Sequence, residues 1–401
     1  MQRSRSILGL AAPPLGARHR PSGLNTRFNG SQLPFADYVA FSRDMLSKAH
    51  SALGDTDLEK IVDGNAPFEL KPPAGFPPGQ NKIYQRGVLL THGLSDSPYF
   101  MRHLAAFFQQ NGFRVMAILL PGHGTQPGDL LDVKWQEWAK AVAYGADRLA
   151  DEADEVYLAG YSAGATLSVY QSLRDERVRG LFLFSPAFKV SPRAAFASLH
   201  KSYSWMIPPG KWLDIKPDDD IYKYESFPKN AAAQIYALTR KLESRLQQHE
   251  LDIPVFAAAS EDDTTVNSSA TIEFFARAHN PSSKLVLFTT APEKYPPGIP
   301  AEKLELVNSI MPGQNIISSA HTSIVLPDDD AHYGVPGEYS NCAHYYPDDM
   351  EKYSACIARA AQVLQGEITE RNLKAGILRR LMYNPNFAAL KVSMRQFIDK
   401  L

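Results

Sequence analysis

A serine hydroxyl is too weakly acidic to attack a carbonyl carbon unaided; a histidine must take its proton, and a carboxylate must hold that histidine in the right tautomer. One serine in the chain stands in a setting suited to that work, within Gly160-Tyr161-Ser162-Ala163-Gly164. The preceding Val156-Tyr157-Leu158-Ala159 reads as a buried strand, and Ala163 to Leu173 reads as a helix. A serine on such a strand-to-helix turn projects from the backbone, and the flanking positions must be glycine because a Cβ there would meet neighbouring main chain. The five-residue pattern alone arises by chance roughly 0.1 times in a chain of this composition. Its weight comes from the strand and helix on either side.

The carboxylate and the base should follow in chain order, each in a loop after a strand. After the apolar run Pro254 to Ala259 comes Ser260-Glu261-Asp262-Asp263-Thr264-Thr265-Val266-Asn267, with Asp263 three residues before Val266. Asp263 is the expected orienting carboxylate, with Asp262 and Glu261 as rivals; the plainer reading is a solvated loop or the cap of a helix starting near Ser268. Among the eleven histidines, the candidates beyond it are His321, His332 and His344. His321 ends a short β-like run from Asn315, whereas the other two sit in Asp- and Tyr-rich loops; His321 is the expected base and His332 its substitute. Acyl transfer also needs donors for the oxyanion, each worth on the order of 100- to 1000-fold in rate. The backbone N–H groups of Ala163 and of Leu94, in Leu89-Leu90-Thr91-His92-Gly93-Leu94-Ser95-Asp96-Ser97, are the expected pair. His92, at a strand end before Gly93, and His123, in Pro121-Gly122-His123-Gly124-Thr125, read as structural.

These residues need a scaffold that aligns strand ends. Strands are expected at 87–91, 113–120, 156–159, 181–185, 254–259 and 283–288, with helices between most of them, including one opening at Ser97-Pro98 and stopping at Gly112 and another from Trp135 to about Ala150. That alternation predicts an α/β architecture with a mostly parallel sheet covered on both faces. Two stretches interrupt it. Residues 186–250 show no convincing strand but carry Phe196, Tyr203, Trp205, Trp212, Tyr222, Tyr224 and Phe227, which suggests a helical cap over the sheet's carboxyl edge. Residues 289–315 are rich in proline around an amphipathic segment near 302–311 and delay the last strand. Upstream, residues 34–62 have helical spacing, 67–80 read as a connecting loop, and 1 to about 30 read as a disordered leader that makes a poor export signal. The expected organisation is an extension over 1–80, partly disordered and then helical, followed by one catalytic domain over 81–401 with its cap inserted at 186–250.

With 42 basic and 43 acidic residues, no net field draws the protein to nucleic acid or to an acidic membrane surface, and no apolar run reaches the length of a membrane span. The expected partner is a small molecule. No metal, cofactor or phosphate-loop signature is present: the acidic runs at 218–220 and 328–330 read as solvated loops, with His332 near Asp330 as a weak cation candidate. Cys342 and Cys356, the only cysteines, are 14 residues apart. A bond between them would favour the cell envelope; two free buried thiols would favour the cytoplasm.

Taken together, Leu90-Thr-His-Gly-Leu-Ser-Asp-Ser-Pro98, Leu120-Pro-Gly-His-Gly-Thr125, Gly160-Tyr-Ser-Ala-Gly164, the acidic loop at Asp263 and Ser319-Ala-His321 resemble the α/β-hydrolase fold, and more closely the bacterial carboxylesterases and monoacylglycerol lipases. The resemblance covers roughly residues 85–390. It implies a serine esterase whose small helical cap admits lipid-like acyl chains. The chain departs from that pattern in its first 80 residues and in the 58 residues between Asp263 and His321, a long path for the fold. An acyltransferase or peptidase on the same fold, or a non-catalytic lipid-binding module, is the alternative.

Overall fold

Short apolar runs broken by amphipathic segments build one large sheet with helices on both faces. The computed structural model describes residues 15–190, 208–359 and 362–401. In chain order, α1 (Phe35–Leu53) and α2 (Leu58–Asn65) precede β1 (Phe68–Leu70), β2 (Tyr84–Thr91), α3 (Arg102–Gln110) and β3 (Phe113–Ile118). Then come α4 (Trp135–Glu152), β4 (Ala153–Tyr161), α5 (Ala163–Ser172) and β5 (Val178–Phe184). A short pair, β6 (Trp212–Asp214) and β7 (Phe227–Pro228), leads into α6 (Lys229–Leu246), β8 (Val255–Ser260), α7 (Ser268–Ala276), β9 (Lys284–Thr289) and β10 (Leu304–Asn308). The carboxyl-terminal part holds α8 (Met350–Ile357), β11 (Leu364–Gly366), α9 (Glu370–Ala375), β12 (Leu378–Arg380) and α10 (Phe387–Ile398).

The large sheet has the order β1-β3-β2-β4-β5-β8-β9-β10. It is parallel except for β1, which runs antiparallel to β3. Side chains alternate between two cores. Leu89, Leu158, Leu181 and Ala257 pack beneath α4, α5 and α6 with Trp138, Leu167 and Leu238. Leu90, Tyr157, Phe182, Phe256 and Phe288 face the other way, onto Phe108 of α3 and Phe397 of α10. Because the strands are parallel and in register, with Thr91 opposite Gly160 and Phe184 opposite Tyr161 and Ala258, their carboxyl ends finish along one edge. Loops leaving that edge carry the site.

All six expected strands form, three of them longer than expected. Several readings change. The helical segment 34–62 is two helices, because Gly54 takes φ 76° and ends α1 in a left-handed cap. The run at Asn315 is not a strand: Ile316 makes only isolated bridges, to Met311 and Gln365, and the last strand of the sheet is β10, inside the segment read as merely amphipathic. The described part of the cap contains the paired strands β6 and β7 as well as the helix α6, so it is not purely helical; Phe196, Tyr203 and Trp205 fall outside the described residues.

Residues 15–30, expected within an unstructured leader, lie against the body. The Ser22 N–H and hydroxyl both donate to Asp129, at 2.6 Å each, and the Asn25 amide donates to the His123 carbonyl at 2.7 Å. The strand β1 lies before the expected boundary at residue 80 yet belongs to the main sheet, and the buried Arg114 ties it to α4 by pairing with Glu69 and, at 2.7 Å, with Glu152. The acidic runs are solvated only in part: Asp219, Asp328 and Asp329 are exposed, whereas Asp218, Asp220 and Asp330 are buried. Asp220 accepts from Tyr333 and His332, and Asp330 accepts from His103 and Tyr99, all in buried or half-buried positions. Buried carboxylates persist only when hydrogen-bonded in this way. Cys342 and Cys356 are bonded, with Cα atoms 6.0 Å apart.

Candidate active site

Ser162 sits between β4 and α5 with φ 54° and ψ −116°, a conformation that costs a non-glycine residue energy and persists only where its surroundings enforce it. The enforcement is visible. Its N–H donates to Phe184 O at 2.8 Å, and the backbone closes tightly on both sides. A Cβ on Gly160 would fall inside contact with the backbone of Gly164, and one on Gly164 would strike Thr91 O. Both glycines therefore permit the helix to start directly against the β2 end.

The structure brings Ser162, Asp263 and His321 together. His321 Nε2 is 3.0 Å from Ser162 Oγ, and His321 Nδ1 is 2.6 Å from Asp263 Oδ2. Asp263 is itself held by the N–H groups of Thr265 and Val266, which donate to its Oδ1 at 2.8 and 3.0 Å. With Nδ1–H donated to a carboxylate, Nε2 is left with its lone pair toward the hydroxyl, the geometry in which an imidazole can accept the proton of a serine. The 58-residue path from Asp263 to His321 is occupied by α7, β9, the proline-rich loop and the additional strand β10.

The rivals stand elsewhere. Asp262 does not reach His321; burial, with Glu261 and Glu367 nearby, pushes its carboxyl up to about 6. Glu261 accepts from Thr289 Oγ1. His332 is bonded to Asp220, and His344 lines the cavity near Ser162 without contacting it; burial drives its imidazole down to about 4. His92 is fully buried, donating from Nδ1 to Gly93 O at 2.8 Å and accepting the Leu120 N–H on Nε2 at 3.0 Å. Burial and the neighbouring His123 hold it far below the usual histidine range, so it is neutral. His123, lowered by burial to about 4, packs beside Trp138 and Tyr224. Among the described residues no cluster of three potential metal ligands exists.

Leu94 and Ala163 both line the cavity at Ser162. Ala163 is the first residue of α5, where an N–H has no intrahelical acceptor, and the Gly93-Leu94 turn lies so close that a Cβ on Gly93 would sit 3.1 Å from the Ser162 Cβ. The cavity measures about 460 Å³. Its lining includes the apolar Leu94, Ala187, Phe227, Ile235 and Val266 and the polar Asn341, His344, Glu225 and Arg380. Glu225 is pushed up to about 7 by burial, against the pull of Tyr339, whose hydroxyl donates to it at 2.5 Å. A separate groove between α6 and α7 contains none of these groups.

Two pairs at the site had no sequence signal. Lys223, from the cap, is bonded to Asp96 and to Ser95 Oγ at 3.0 Å, tying the cap to the Leu94 turn. Glu367, fully buried, accepts the His321 N–H at 2.8 Å and is paired with Arg380. Each pair joins residues more than ten positions apart, with no periodicity to announce it.

The doubly covered parallel sheet, the turn at Ser162 and the loops at the strand ends make this an α/β-hydrolase fold. Residues 84–291 match the family described as serine aminopeptidase, S33, and the chain belongs to that family. It is a hydrolase of the carboxylesterase and lipase kind. A thermostable monoacylglycerol lipase of Bacillus sp. (strain H-257) is 26% identical over 186 residues, 45% of this chain and 71% of the relative. Among solved structures, one from a study of the metagenome-derived lipolytic enzymes LipS and LipT is 22% identical with a TM-score of 0.46, covering 56% of this chain and 87% of its own. The monoacylglycerol lipase of Paleococcus ferrophilus is 17% identical with a TM-score of 0.42, covering 56% and 88%.

Proposed function

We propose that the protein hydrolyses carboxylic esters with apolar acyl groups, monoacylglycerols among them, through an acyl-serine intermediate on Ser162. The observation that carries this is the relay of His321 between Ser162 Oγ at 3.0 Å and Asp263 at 2.6 Å, at the wall of a cavity whose lining is largely apolar. His321 Nε2 takes the hydroxyl proton as Oγ bonds to the acyl carbon, and returns it to the alcohol oxygen as the ester C–O bond breaks. A water then loses its proton to His321 as its oxygen bonds to the acyl carbon; the acyl–Oγ bond breaks, His321 returns the proton to Ser162 Oγ, and the acid leaves. Asp263 fixes the imidazole tautomer. The N–H groups of Leu94 and Ala163 serve the oxyanion. Residues 81–401 act as the hydrolase domain with the insertion at 186–250 as its cap, residues 15–65 brace it, and β1 adds a strand to its sheet.

A Ser162→Ala protein is expected to lose p-nitrophenyl ester hydrolysis by about 10⁶-fold in kcat and to resist fluorophosphonate labelling. Parental turnover by that variant would remove the proposal. The peptidase reading is favoured by one observation, the family's own description, and release of an amino-terminal residue from peptide amides at a rate above that of esters would select it.

A further inference from the structure

The backbone of His321 is gripped on both sides. Its carbonyl accepts from the Tyr161 hydroxyl and from Ser185 Oγ, each at 3.2 Å, and both donors leave the carboxyl ends of central strands. Its N–H donates to Glu367 Oε2 at 2.8 Å. Glu367 is wholly buried, and its two oxygens are further held by the Ile368 N–H at 2.8 Å and by the Arg380 guanidinium at 2.9 and 3.0 Å. Burial alone would raise this carboxyl, but Arg380 and the two N–H donors bring it below the usual glutamate value, so the clamp is an ion pair.

The elements that build it come from the end of the chain, beyond residues 84–291. The strands β11 and β12 pair in parallel, and β11 docks on the approach to His321 through Ile317 N–H to Gln365 O at 2.9 Å and Gln365 N–H to Asn315 O at 2.8 Å. The Arg380 N–H donates to Asn341 O at 3.0 Å, next to the bonded Cys342. Because the expected strand at Asn315 does not form, no sheet ladder of its own holds the turn that presents His321. The carboxyl-terminal strands take over that task.

We propose that Glu367, charged and oriented by Arg380, is a positioning residue that sets both the placement and the proton affinity of His321. The inference rests on His321 being the base. The charged and titratable groups around His321 are Asp263 after β8, Asp96 after β2 with its partner Lys223, Tyr161 at the end of β4, and Glu367 with Arg380. Of these, Glu367 and Arg380 oppose one another in sign. Removing either one changes the local charge in a known direction.

Hydrolysis of p-nitrophenyl butyrate is followed across about pH 5 to 9 for the full chain and for Glu367→Gln, Arg380→Met and the double variant. Glu367→Gln is expected to lower kcat by about 10- to 100-fold with KM within about twofold, since geometry and not binding is disturbed. It also moves the acid limb of kcat/KM to lower pH, because a negative charge favouring the imidazolium is gone. Arg380→Met moves that limb to higher pH, and the double variant returns toward the parent. A merely structural role lowers rates without displacing the limb in opposite directions, so limbs that stay in place in both single variants overturn the proposal. Where Glu367→Gln yields no folded protein, Arg380→Lys carries the test: it keeps the charge but not the planar contact, so kcat falls with the limb in place, and a parental kcat overturns the clamp. Fluorophosphonate labelling separates the two readings. A parent that neither labels nor turns over removes the esterase proposal and this one together; a labelled, active parent with unchanged variants removes only this one.

Discussion

At the scale of single residues, the site depends on one imidazole with two different neighbours. Asp263 is buried, accepts two backbone N–H groups on one oxygen and meets His321 with the other, so it orients the ring without freedom to turn away. Asp263→Asn keeps the shape and reverses the tautomer, and kcat is expected to fall by about 10⁴-fold with KM little changed, as steady-state kinetics on a short-chain ester would read. Glu225, which lines the cavity, offers a different measurement. Its folded value, about 7 against an ordinary 4.5, means that the native state holds a proton that the unfolded chain has lost between those two values. Its contribution to stability is therefore complete below about pH 4.5 and is lost as pH rises through about 7. Urea unfolding should show Glu225→Gln gaining on the parent from about pH 5 to 8; a constant difference across that range would refute the burial argument.

At the scale of elements, the turn between β4 and α5 works because two chain segments approach where no side chain intervenes. Gly164 has an ordinary backbone conformation, so replacement by alanine meets only the steric obstacle of Thr91 O and His92 O on β2. Those are main-chain atoms of a central strand and cannot swing aside. Gly164→Ala is expected to cost about 3 kcal/mol of unfolding free energy, read as a lower denaturant midpoint at unchanged slope. A loss well under 1 kcal/mol would show that the elbow has slack. The strand β10 is the other decisive element: by extending the sheet beyond β9 it lengthens the path from Asp263 without moving the site, since both ends of that path return to the same carboxyl edge.

For the whole molecule, segments outside the family-matched region buttress the hydrolase core. Residues 15–30 and α1 brace the Pro121–Thr125 turn, where Tyr38 and His50 bond to Leu119 and Gly124. The carboxyl-terminal segment is closed by the Cys342–Cys356 bond around α8. Closing a loop of this length is worth about 3 kcal/mol in the unfolded-chain entropy account. The double variant Cys342→Ser/Cys356→Ser is expected to unfold at lower denaturant by that amount, with ester hydrolysis retained in the protein that remains folded. Equal midpoints for parent and variant would mean that packing of Tyr345 and Ile377 around the sulfurs suffices without the bond.

Local pattern was enough for the alternation of strands and helices and for the glycine-framed Ser162, because each is written within a dozen residues and follows from period, capping and steric room. It also narrowed the acidic loop to three carboxylates. Only the folded chain separated Asp263 from Asp262, since adjacent side chains on a turn point to different partners: one at His321, the other into a buried space that raises its carboxyl. The burial of Asp220 and Asp330, the edge strand β10 and the Glu367–Arg380 grip on His321 were illegible for the same reason. Each depends on groups brought together from distant parts of the chain, and a carboxylate's partners, unlike a strand's periodicity, leave no trace in the residues next to it.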